Sequence, residues 1–322
     1  MKVTCVLLLW LVGLLVVVEA KNYFARIPED AKTRRINETL SRELAIKCGR
    51  STGHKIKDNH GRLYPWAVSI TLHGKNTLGG AIISPYHIIT AAHGFLRFDA
   101  GHPGPCLVTN YKNDSEVLIR KVAYGDDCIR AGHTNLSRHN LCEHTIGKTK
   151  NIRMVAIDHG FAMGLCQEGH DWAIIELDEP IQFDNYTLPI CLPFPSQPVQ
   201  QVVTAISWGR TSIYYESDPL IREIPMQTDV SCSAPWSDQM PTKVMDYLCA
   251  KSLSPANWNS KRTCHGDSGS GLQQVDYNGL YTLVGITSFG SVGCPPNELA
   301  RFTRVSSYLE DICELTGVCY TV

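Results

Sequence analysis

Apolar and polar residues alternate over short stretches through much of the chain, with turn-forming residues between them. Pro65-Trp-Ala-Val-Ser-Ile-Thr-Leu72 alternates apolar with small or polar positions, as a half-buried strand does, and His73-Gly-Lys-Asn76 favours a turn after it. The stretch from Gly79 to His93 predicts two further short strands around Ser84-Pro85. Strand and helix patterns do not alternate along the chain, which opposes an α/β fold.

The last part of the chain has a different period. Val305, Tyr308, Leu309, Ile312 and Leu315 recur at helical spacing, and Gly317 follows as a residue that stops a helix. These positions predict an amphipathic helix over about residues 305–316.

The start of the chain is typical of a secretory signal. Met1-Lys2 precedes an apolar run from Val6 to Val18, and Val18-Glu-Ala20 provides the small residue at which such signals end, so we expect cleavage after Ala20. A retained membrane anchor is the alternative, but the run is short for a span and ends without a basic stop. Residues 21–50 are polar and charged, which predicts a leader or propeptide-like segment outside the core.

Charge and cysteine content narrow the choice of compartment and partners. Thirty Lys and Arg oppose 31 Asp and Glu, for a formal charge of -1, so nothing global favours a nucleic-acid partner or an acidic lipid surface. Thirteen cysteines become twelve once Cys5 leaves with the signal, and an even number in a secreted chain predicts disulfides. Four glycosylation sequons agree with an extracellular glycoprotein, and they begin at Asn37, Asn113, Asn135 and Asn185.

Three segments carry candidate chemistry. Gly266-Asp-Ser-Gly269 presents Ser268 on a glycine-flanked turn, as a nucleophile would be, although such a stretch can also be an ordinary loop. Thr90-Ala-Ala-His93 places a histidine after an apolar strand, where a surface or packed residue is the alternative to a base. Asp171 begins the apolar run that ends at Leu177, and a buried aspartate there needs a partner such as a histidine N–H; a surface aspartate is the alternative.

These three segments fall in the order His, Asp, Ser, and from Pro65 to its C-terminus the chain resembles the trypsin/chymotrypsin-type serine peptidases. Trp208-Gly209, Ile190-Cys-Leu-Pro193 and Thr282-Leu-Val-Gly-Ile-Thr-Ser-Phe-Gly290 belong to the same resemblance. It implies an all-β fold of two six-stranded antiparallel β-barrels with the active site in the cleft between them and a C-terminal α-helix.

The domain boundaries follow from that resemblance. Residues 51–322 would form the peptidase domain, with an N-terminal barrel over about 60–190, a C-terminal barrel over about 195–305 and a cysteine-rich insertion over about 97–168. Histidines in the insertion have no spacing that a metal site would need, so we expect no metal.

The resemblance also implies three disulfides, Cys264–Cys294, Cys232–Cys249 and Cys48–Cys191. The family's cysteine after the catalytic histidine and its partner are both absent here, as Gly94 and Leu78. Six cysteines keep an open connectivity, and they are Cys106, Cys128, Cys142, Cys166, Cys313 and Cys319.

The resemblance assigns roles to named residues. Ser268 would be the nucleophile, His93 the general base and Asp171 the group that orients it, while the N–H groups of Gly266 and Ser268 would form the oxyanion hole. Ser288 would hydrogen-bond Asp171. The substrate pocket would be lined by Arg262, Ser288, Phe289, Gly290 and Ala300.

Two departures from the family affect specificity and activation. Arg262 stands where trypsin-like members have aspartate, which predicts rejection of Lys and Arg side chains and acceptance of acidic ones, unless Arg262 turns outward or Glu298 neutralises it. Asp267 stands where the family pairs an aspartate with an Ile-Val-Gly-Gly terminus, freshly cut after Arg or Lys as a zymogen matures, but no such terminus precedes Pro65. The chain offers Arg50-Ser51 and Lys55-Ile56 as candidate cut sites instead. Either another terminus serves, or Asp267 has another partner, or the cleft never matures.

Together these features predict a secreted, monomeric serine endopeptidase that needs no cofactor. Its partners would be protein or peptide substrates and protein inhibitors, with no nucleic acid and no membrane after signal removal. A catalytically silent peptidase-like binding or regulatory protein is the alternative. An esterase of the α/β-hydrolase type is opposed by the order of the three residues.

Overall fold

The computed structural model describes most of the chain between Phe24 and Cys319. The predicted signal, Asn135 and Cys106 lie outside the described residues. The ranges described are 24–99, 107–129, 142, 145–164, 166, 168–211, 217–232, 246–291 and 293–319.

The first half of the chain forms an antiparallel sheet of six strands. The two strands at its ends pair with each other, so the sheet closes into a β-barrel. The hairpin between the strands Ala67–Leu72 and Lys75–Ile82 turns at His73 and Gly74, which both have left-handed backbone angles (φ 50° and 74°). Its inward side chains are apolar, so the barrel has a packed interior. The six strands are β2 (Ala67–Leu72), β3 (Lys75–Ile82), β4 (His87–Thr90), β7 (Lys121–Tyr124), β8 (Lys148–Asp158) and β9 (Ala173–Leu177).

The second half forms another closed antiparallel barrel with its own buried apolar cluster. The two barrels are joined by side chains as well as by the chain itself, since the indole N–H of Trp66 donates to Oε1 of Gln273 at 2.7 Å. The strands are β10 (Val202–Ser207), β11 (Arg222–Thr228), β12 (Tyr247–Ser252), β13 (Gly271–Val275), β14 (Tyr281–Phe289) and β15 (Ala300–Arg304). The prediction of two six-stranded barrels is therefore confirmed.

The C-terminal helix is also confirmed. A 3₁₀ turn over Val305–Tyr308 leads into α4 (Leu309–Thr316). Gly317 ends α4 with a left-handed φ of 76°, and its N–H donates to the carbonyl of Cys313 at 2.8 Å. The left-handed conformation ends the helix, and glycine is favoured at this position because a side chain there would be strained.

The segment over residues 24–50 differs from the expectation of a leader outside the core. It contains β1 (Phe24–Ile27), which pairs antiparallel with β8, and α1 (Glu38–Lys47). Ile27 and Leu44 are buried, and the N–H of Ile36 donates to the carbonyl of Thr316 at 2.8 Å. A few well-spaced apolar residues are enough to dock this otherwise polar segment. Its removal during maturation remains a prediction.

The boundary expected for a cysteine-rich insertion, 97–168, needs correction because that range contains the barrel strands β7 and β8. Among the described residues of this range, the additional structure lies in the stretches around these strands. It consists of the small sheet of β5 (Leu96–Phe98) and β6 (Val108–Tyr111), and of the short helices α2 (Asp114–Leu118) and α3 (His159–Met163). No helix among the described residues has the length and apolar character needed to cross a membrane.

Candidate active site

His93 and Asp171 form a hydrogen-bonded pair at one end of the first barrel. His93 lies in a 3₁₀ turn over Ala92–Phe95, directly after β4, and Asp171 lies two residues before β9. Nδ1 of His93 is 2.7 Å from Oδ2 of Asp171, and the backbone N–H of His93 donates to Oδ1 at 2.9 Å. Because β4 and β9 are adjacent strands, their ends bring these two residues together.

Asp171 is fully buried, and its carboxylate has several donors. Besides the two His93 contacts, the hydroxyl of Ser288 donates to Oδ2 of the carboxylate. The backbone carbonyl of Asp171 separately accepts from Thr303 Oγ1 at 2.9 Å. An ionised carboxylate only accepts hydrogen bonds, so the hydrogen of the His93 ring lies on Nδ1. This leaves Nε2 of His93 as an acceptor, which is the tautomer that a general base needs.

Ser268 lies on a tight turn between the two barrels. The turn has positive φ at Gly266 (89°) and Gly269 (78°), which favours glycine at both positions. The carbonyl of Ser268 accepts from the N–H of Gly79 in β3 at 2.7 Å, and Nδ2 of Asn76 donates to the carbonyl of Gly266 at 2.8 Å. The turn lies between β12 and β13 of the second barrel, and hydrogen bonds join it to both barrels, since the N–H of Gly269 donates to the carbonyl of Thr287 in β14 at 2.8 Å.

Asp267, beside the candidate nucleophile, is fully buried and bonded within the protein. Nη2 of Arg222 contacts both carboxylate oxygens, at 3.0 and 2.8 Å. The backbone N–H groups of Gly209 and Cys264 donate to Asp267 at 2.9 and 2.7 Å. Of the three possibilities left open for Asp267, the structure has the one in which another group of the chain is its partner.

A cavity of about 200 Å³ opens beside Ser268. Ser288 links it to Asp171, and the ring of Phe289 lies 6.2 Å, centroid to centroid, from that of His93. All five residues predicted to line the substrate pocket border this cavity together with Ser268, and they are Arg262, Ser288, Phe289, Gly290 and Ala300.

Arg262 borders the cavity without pairing with Glu298. Its Nη1 donates to the carbonyls of Trp258 (2.8 Å) and Ser260 (3.0 Å), and its Nε donates to that of Cys294. Burial lowers the pKa of Arg262, and the neighbouring positive charge of Arg222 lowers it further. Glu298 also borders the cavity and accepts from the hydroxyl of Ser291 at 3.3 Å, so the pocket carries one charge of each sign.

The covalent framework contains the three implied disulfides, Cys48–Cys191, Cys232–Cys249 and Cys264–Cys294. Two bridges that the sequence left open are Cys128–Cys142 and Cys313–Cys319, and Cys166 is disulfide-bonded as well. Where the family's bridge beside the histidine is absent, Leu78 occupies the space: a Cβ added at Gly94 would lie 2.1 Å from Leu78 Cδ1.

Two residues that the sequence did not assign support the nucleophile turn. Arg222 stands in phase with the buried Ile224 and Met226 of β11, and a charged residue on the buried face of a strand is the signal that would have identified it. Ser270 is fully buried, and its hydroxyl donates to that of Ser207 at 2.7 Å. Its side chain also fills the space where a Cβ on Gly79 would lie.

Two closed six-stranded barrels with these residues at their junction define the chymotrypsin-like fold. A model of the family described as Trypsin matches residues 52–312, so the chain belongs to the trypsin family.

The chain is similar to several named proteases. It is 30% identical over 260 residues to the trypsin-like protease try-5 of Caenorhabditis elegans, covering 72% of this chain and 75% of the relative. It is 26% identical over 269 residues to the clotting factor G beta subunit of Tachypleus tridentatus, covering 79% and 76%. The match to serine protease filzig of Drosophila melanogaster, 27% identical, covers 85% of this chain but spans only 15% of that relative's length.

Proposed function

We propose that this protein is a secreted serine endopeptidase in which His93, Asp171 and Ser268 act as a catalytic triad. The observation that carries the proposal is the buried Asp171, which accepts from Nδ1 of His93 and shares Ser288 with the cavity beside Ser268. Membership of the trypsin family supports a serine-type peptidase as the class of enzyme.

In the proposed reaction, Oγ of Ser268 attacks the carbonyl carbon of the scissile peptide bond, and Nε2 of His93 takes its proton. His93 then gives that proton to the leaving amine, which departs and leaves an acyl group on Ser268. Water, deprotonated by His93, attacks the acyl-enzyme and releases the carboxylic acid while the proton returns to Ser268. Asp171 keeps the ring of His93 in the required tautomer and stabilises the imidazolium.

The oxyanion would be bound by the N–H groups of Gly266 and Ser268. Within the described part of the chain, neither N–H donates to another protein group, so both are available to a substrate oxygen. Loss of one such donor typically lowers kcat by a hundredfold or more. The positive φ of Gly266 explains why this position favours glycine.

The pocket supports a preference for acidic side chains at the residue before the cleaved bond, the P1 residue. The guanidinium of Arg262 is held by backbone carbonyls, and its Nη2 donates to no described residue. A carboxylate entering the cavity can therefore receive a charge-assisted hydrogen bond from Nη2. Glu298 is the feature that opposes this preference, so the two side chains must be tested together.

Secretion belongs to the same proposal. Disulfides persist in oxidising compartments, and five bridges join pairs of described cysteines. We propose that the mature chain begins at Lys21 and acts as a soluble monomer on protein or peptide substrates, with protein inhibitors as its further partners. It would carry glycans at Asn37, Asn113 and Asn185, whose side chains are exposed.

The experiment that tests the proposal is labelling with a serine-directed fluorophosphonate probe. We expect covalent labelling of the purified mature protein at Ser268, located by mass spectrometry of its peptides, and no labelling of Ser268→Ala. Ser254→Ala, which removes an exposed serine, is the matched control and should label at the wild-type rate. A folded protein that stays unlabelled in every processed form would exclude the endopeptidase and favour a silent peptidase-like binding protein.

A further inference from the structure

The buried carboxylate of Asp267 has one cationic partner among the described residues, and that partner is Arg222. We propose that Arg222 is a positioning residue: it supplies from within the chain the positive charge that the family takes from a freshly cut N-terminus. The nucleophile turn would then reach its working shape in the uncut chain. This inference rests on the proposed function, because the turn matters only if Ser268 reacts.

Among the described residues, the carboxylate of Asp267 is surrounded by donors that it already uses. Its side chain is fully buried and accepts two contacts from Nη2 of Arg222 and two from backbone N–H groups. Gly209 packs so closely that an added Cβ would lie 2.1 Å from Oδ1 of Asp267. A new N-terminus would therefore have to displace the guanidinium before it could bind this carboxylate.

Arg222 is held in place by the second barrel. It begins β11, opposite Ser207 of β10, and is 6% exposed. The alternation of the strand directs its side chain inward, where Asp267 is its only ion-pair partner among the described residues. A buried guanidinium without a carboxylate would be strongly unfavourable, so Arg222 and Asp267 stabilise each other's burial.

The segment in which a cut would fall is anchored elsewhere. The carbonyl of Arg62 accepts from the N–H groups of Thr52 (3.2 Å) and Gly53 (2.9 Å). The N–H of Lys57 donates to Asp127 at 2.7 Å. Both candidate cut sites, Arg50-Ser51 and Lys55-Ile56, lie in or beside this anchored stretch, so a new terminus would have to break these bonds to leave it.

The first test asks whether the uncut chain is active. A chain that begins at Lys21 and carries Arg50→Gln and Lys55→Gln is purified, and its intact mass shows that it is uncut. We expect fluorophosphonate labelling of Ser268 within about twofold of the wild-type rate. Labelling that appears only in cut protein, with a new N-terminus found by sequencing, would overturn the role of Arg222. Absence of labelling in both cut and uncut protein would instead refute the proposed function.

The second test removes the cation. We expect Arg222→Met to lower the labelling rate of the folded fraction by about a hundredfold, the loss typical of a disturbed oxyanion hole. Arg62→Met is the matched control because Arg62 forms another buried pair, with Asp127 at 2.9 Å. It should lower thermal stability yet keep the wild-type labelling rate per folded molecule. A wild-type labelling rate in Arg222→Met would overturn the inference.

The third test uses Arg222→Lys and pH. A guanidinium stays charged throughout the accessible range, whereas a buried lysine loses its proton more easily. We expect Arg222→Lys to retain labelling near pH 7 but to lose it as the pH rises toward 10, while the wild type stays constant there. A loss of wild-type labelling above about pH 8, where a paired α-amino group begins to deprotonate, would point to a terminus and overturn the proposal. This test remains decisive if Arg222→Met does not fold.

Discussion

At the scale of single residues, the cavity beside Ser268 is bordered by two oppositely charged side chains, Arg262 and Glu298, that do not form a salt bridge with each other. Arg262 is fixed by three backbone carbonyls, and Glu298 accepts from Ser291. A salt bridge between Arg262 and Glu298 would have cancelled both charges, but each remains available to a substrate. Under the proposed function, the P1 preference would depend on whether the bound side chain contacts Arg262 or Glu298.

This arrangement predicts the effect of Arg262→Gln on specificity. We expect kcat/KM for a peptide with glutamate at P1 to fall about 10- to 100-fold, the loss of one charge-assisted hydrogen bond of about 1.5–3 kcal/mol. The same peptide with glutamine at P1 should change little. Rates are measured on this matched pair of substrates.

Glu298→Gln is the matched control, since it removes the opposing charge from the same pocket. It should raise kcat/KM for the glutamate peptide. Cleavage after Lys or Arg by the wild type, unaffected by Arg262→Gln, would contradict an acidic preference.

At the scale of elements, the helix α1 begins at a residue that is also a glycosylation candidate. The side chain of Asn37 caps the helix by accepting from the N–H of Leu40 at 2.9 Å. Its Oδ1 makes the cap while Nδ2 would carry a glycan, so both roles are compatible. The sequon and the cap can therefore be separated by mutation.

We expect Asn37→Ala to lower the free energy of unfolding by about 1 kcal/mol beyond the effect of glycan loss, because the cap is removed. Thr39→Ala abolishes the sequon but keeps the cap, and is the control. Urea unfolding of both variants, with intact mass to count glycans, makes the comparison. Equal stability of the two variants would show that the cap contributes nothing.

The strands and the last helix were predictable because their apolar positions repeat with the period of the element. The docked segment over 24–50 was not, because its burial depends on a few residues, such as Ile27 and Leu44, in a polar sequence. β7 and β8 were hidden in what looked like an insertion, since their pairing partners are distant in the chain.

In the candidate site, too, some residues could be predicted from the sequence and others could not. His93, Asp171 and Ser268 each stand in a local motif, whereas the contact between Arg222 and Asp267 joins residues 45 positions apart. The alternation of β11 marks Arg222 as a buried charge, but no local pattern specifies Asp267 as its partner, so only the fold reveals the contact.

At the scale of the whole molecule, a buried histidine ties the segment over 24–50 to the first barrel. Nε2 of His87 lies 2.8 Å from the carbonyl of Arg34, and Nδ1 lies 2.7 Å from the hydroxyl of Ser84. A carbonyl only accepts, so the hydrogen of the neutral ring lies on Nε2 and Ser84 donates to Nδ1. Burial lowers the pKa of His87 to about 4, although the nearby Glu176 acts in the opposite direction.

The sign of the pH dependence follows from that lowered pKa. The unfolded chain binds a proton at His87 below about pH 6.5, while the folded protein resists it down to about pH 4, so stability is full above 6.5 and falls between these values. Fully realised, the loss is at most about 3 kcal/mol. Urea unfolding of the wild type at pH 7, 5.5 and 4.5 should show it.

In His87→Gln, the free energy of unfolding should depend less on pH between pH 6.5 and about 4. His170, whose pKa is raised by its hydrogen bond to Asp158, acts in the opposite sense, because it stabilises the fold at low pH and loses that contribution as the pH rises. In His170→Gln, the free energy of unfolding should therefore fall more steeply as the pH is lowered. An unchanged slope in His87→Gln would show that other groups cause the acid sensitivity.

The hydrogen bonds from Asn76 and Gly79 join β3 of the first barrel to the turn that carries Ser268 in the second. The hairpin that carries these donors belongs to the first half of the chain, yet it holds the turn that carries Ser268, the proposed nucleophile, in the second half. Under the proposed function, a change in that hairpin would slow turnover without altering a side chain of the proposed triad. Neither half, produced alone, would contain the complete proposed site.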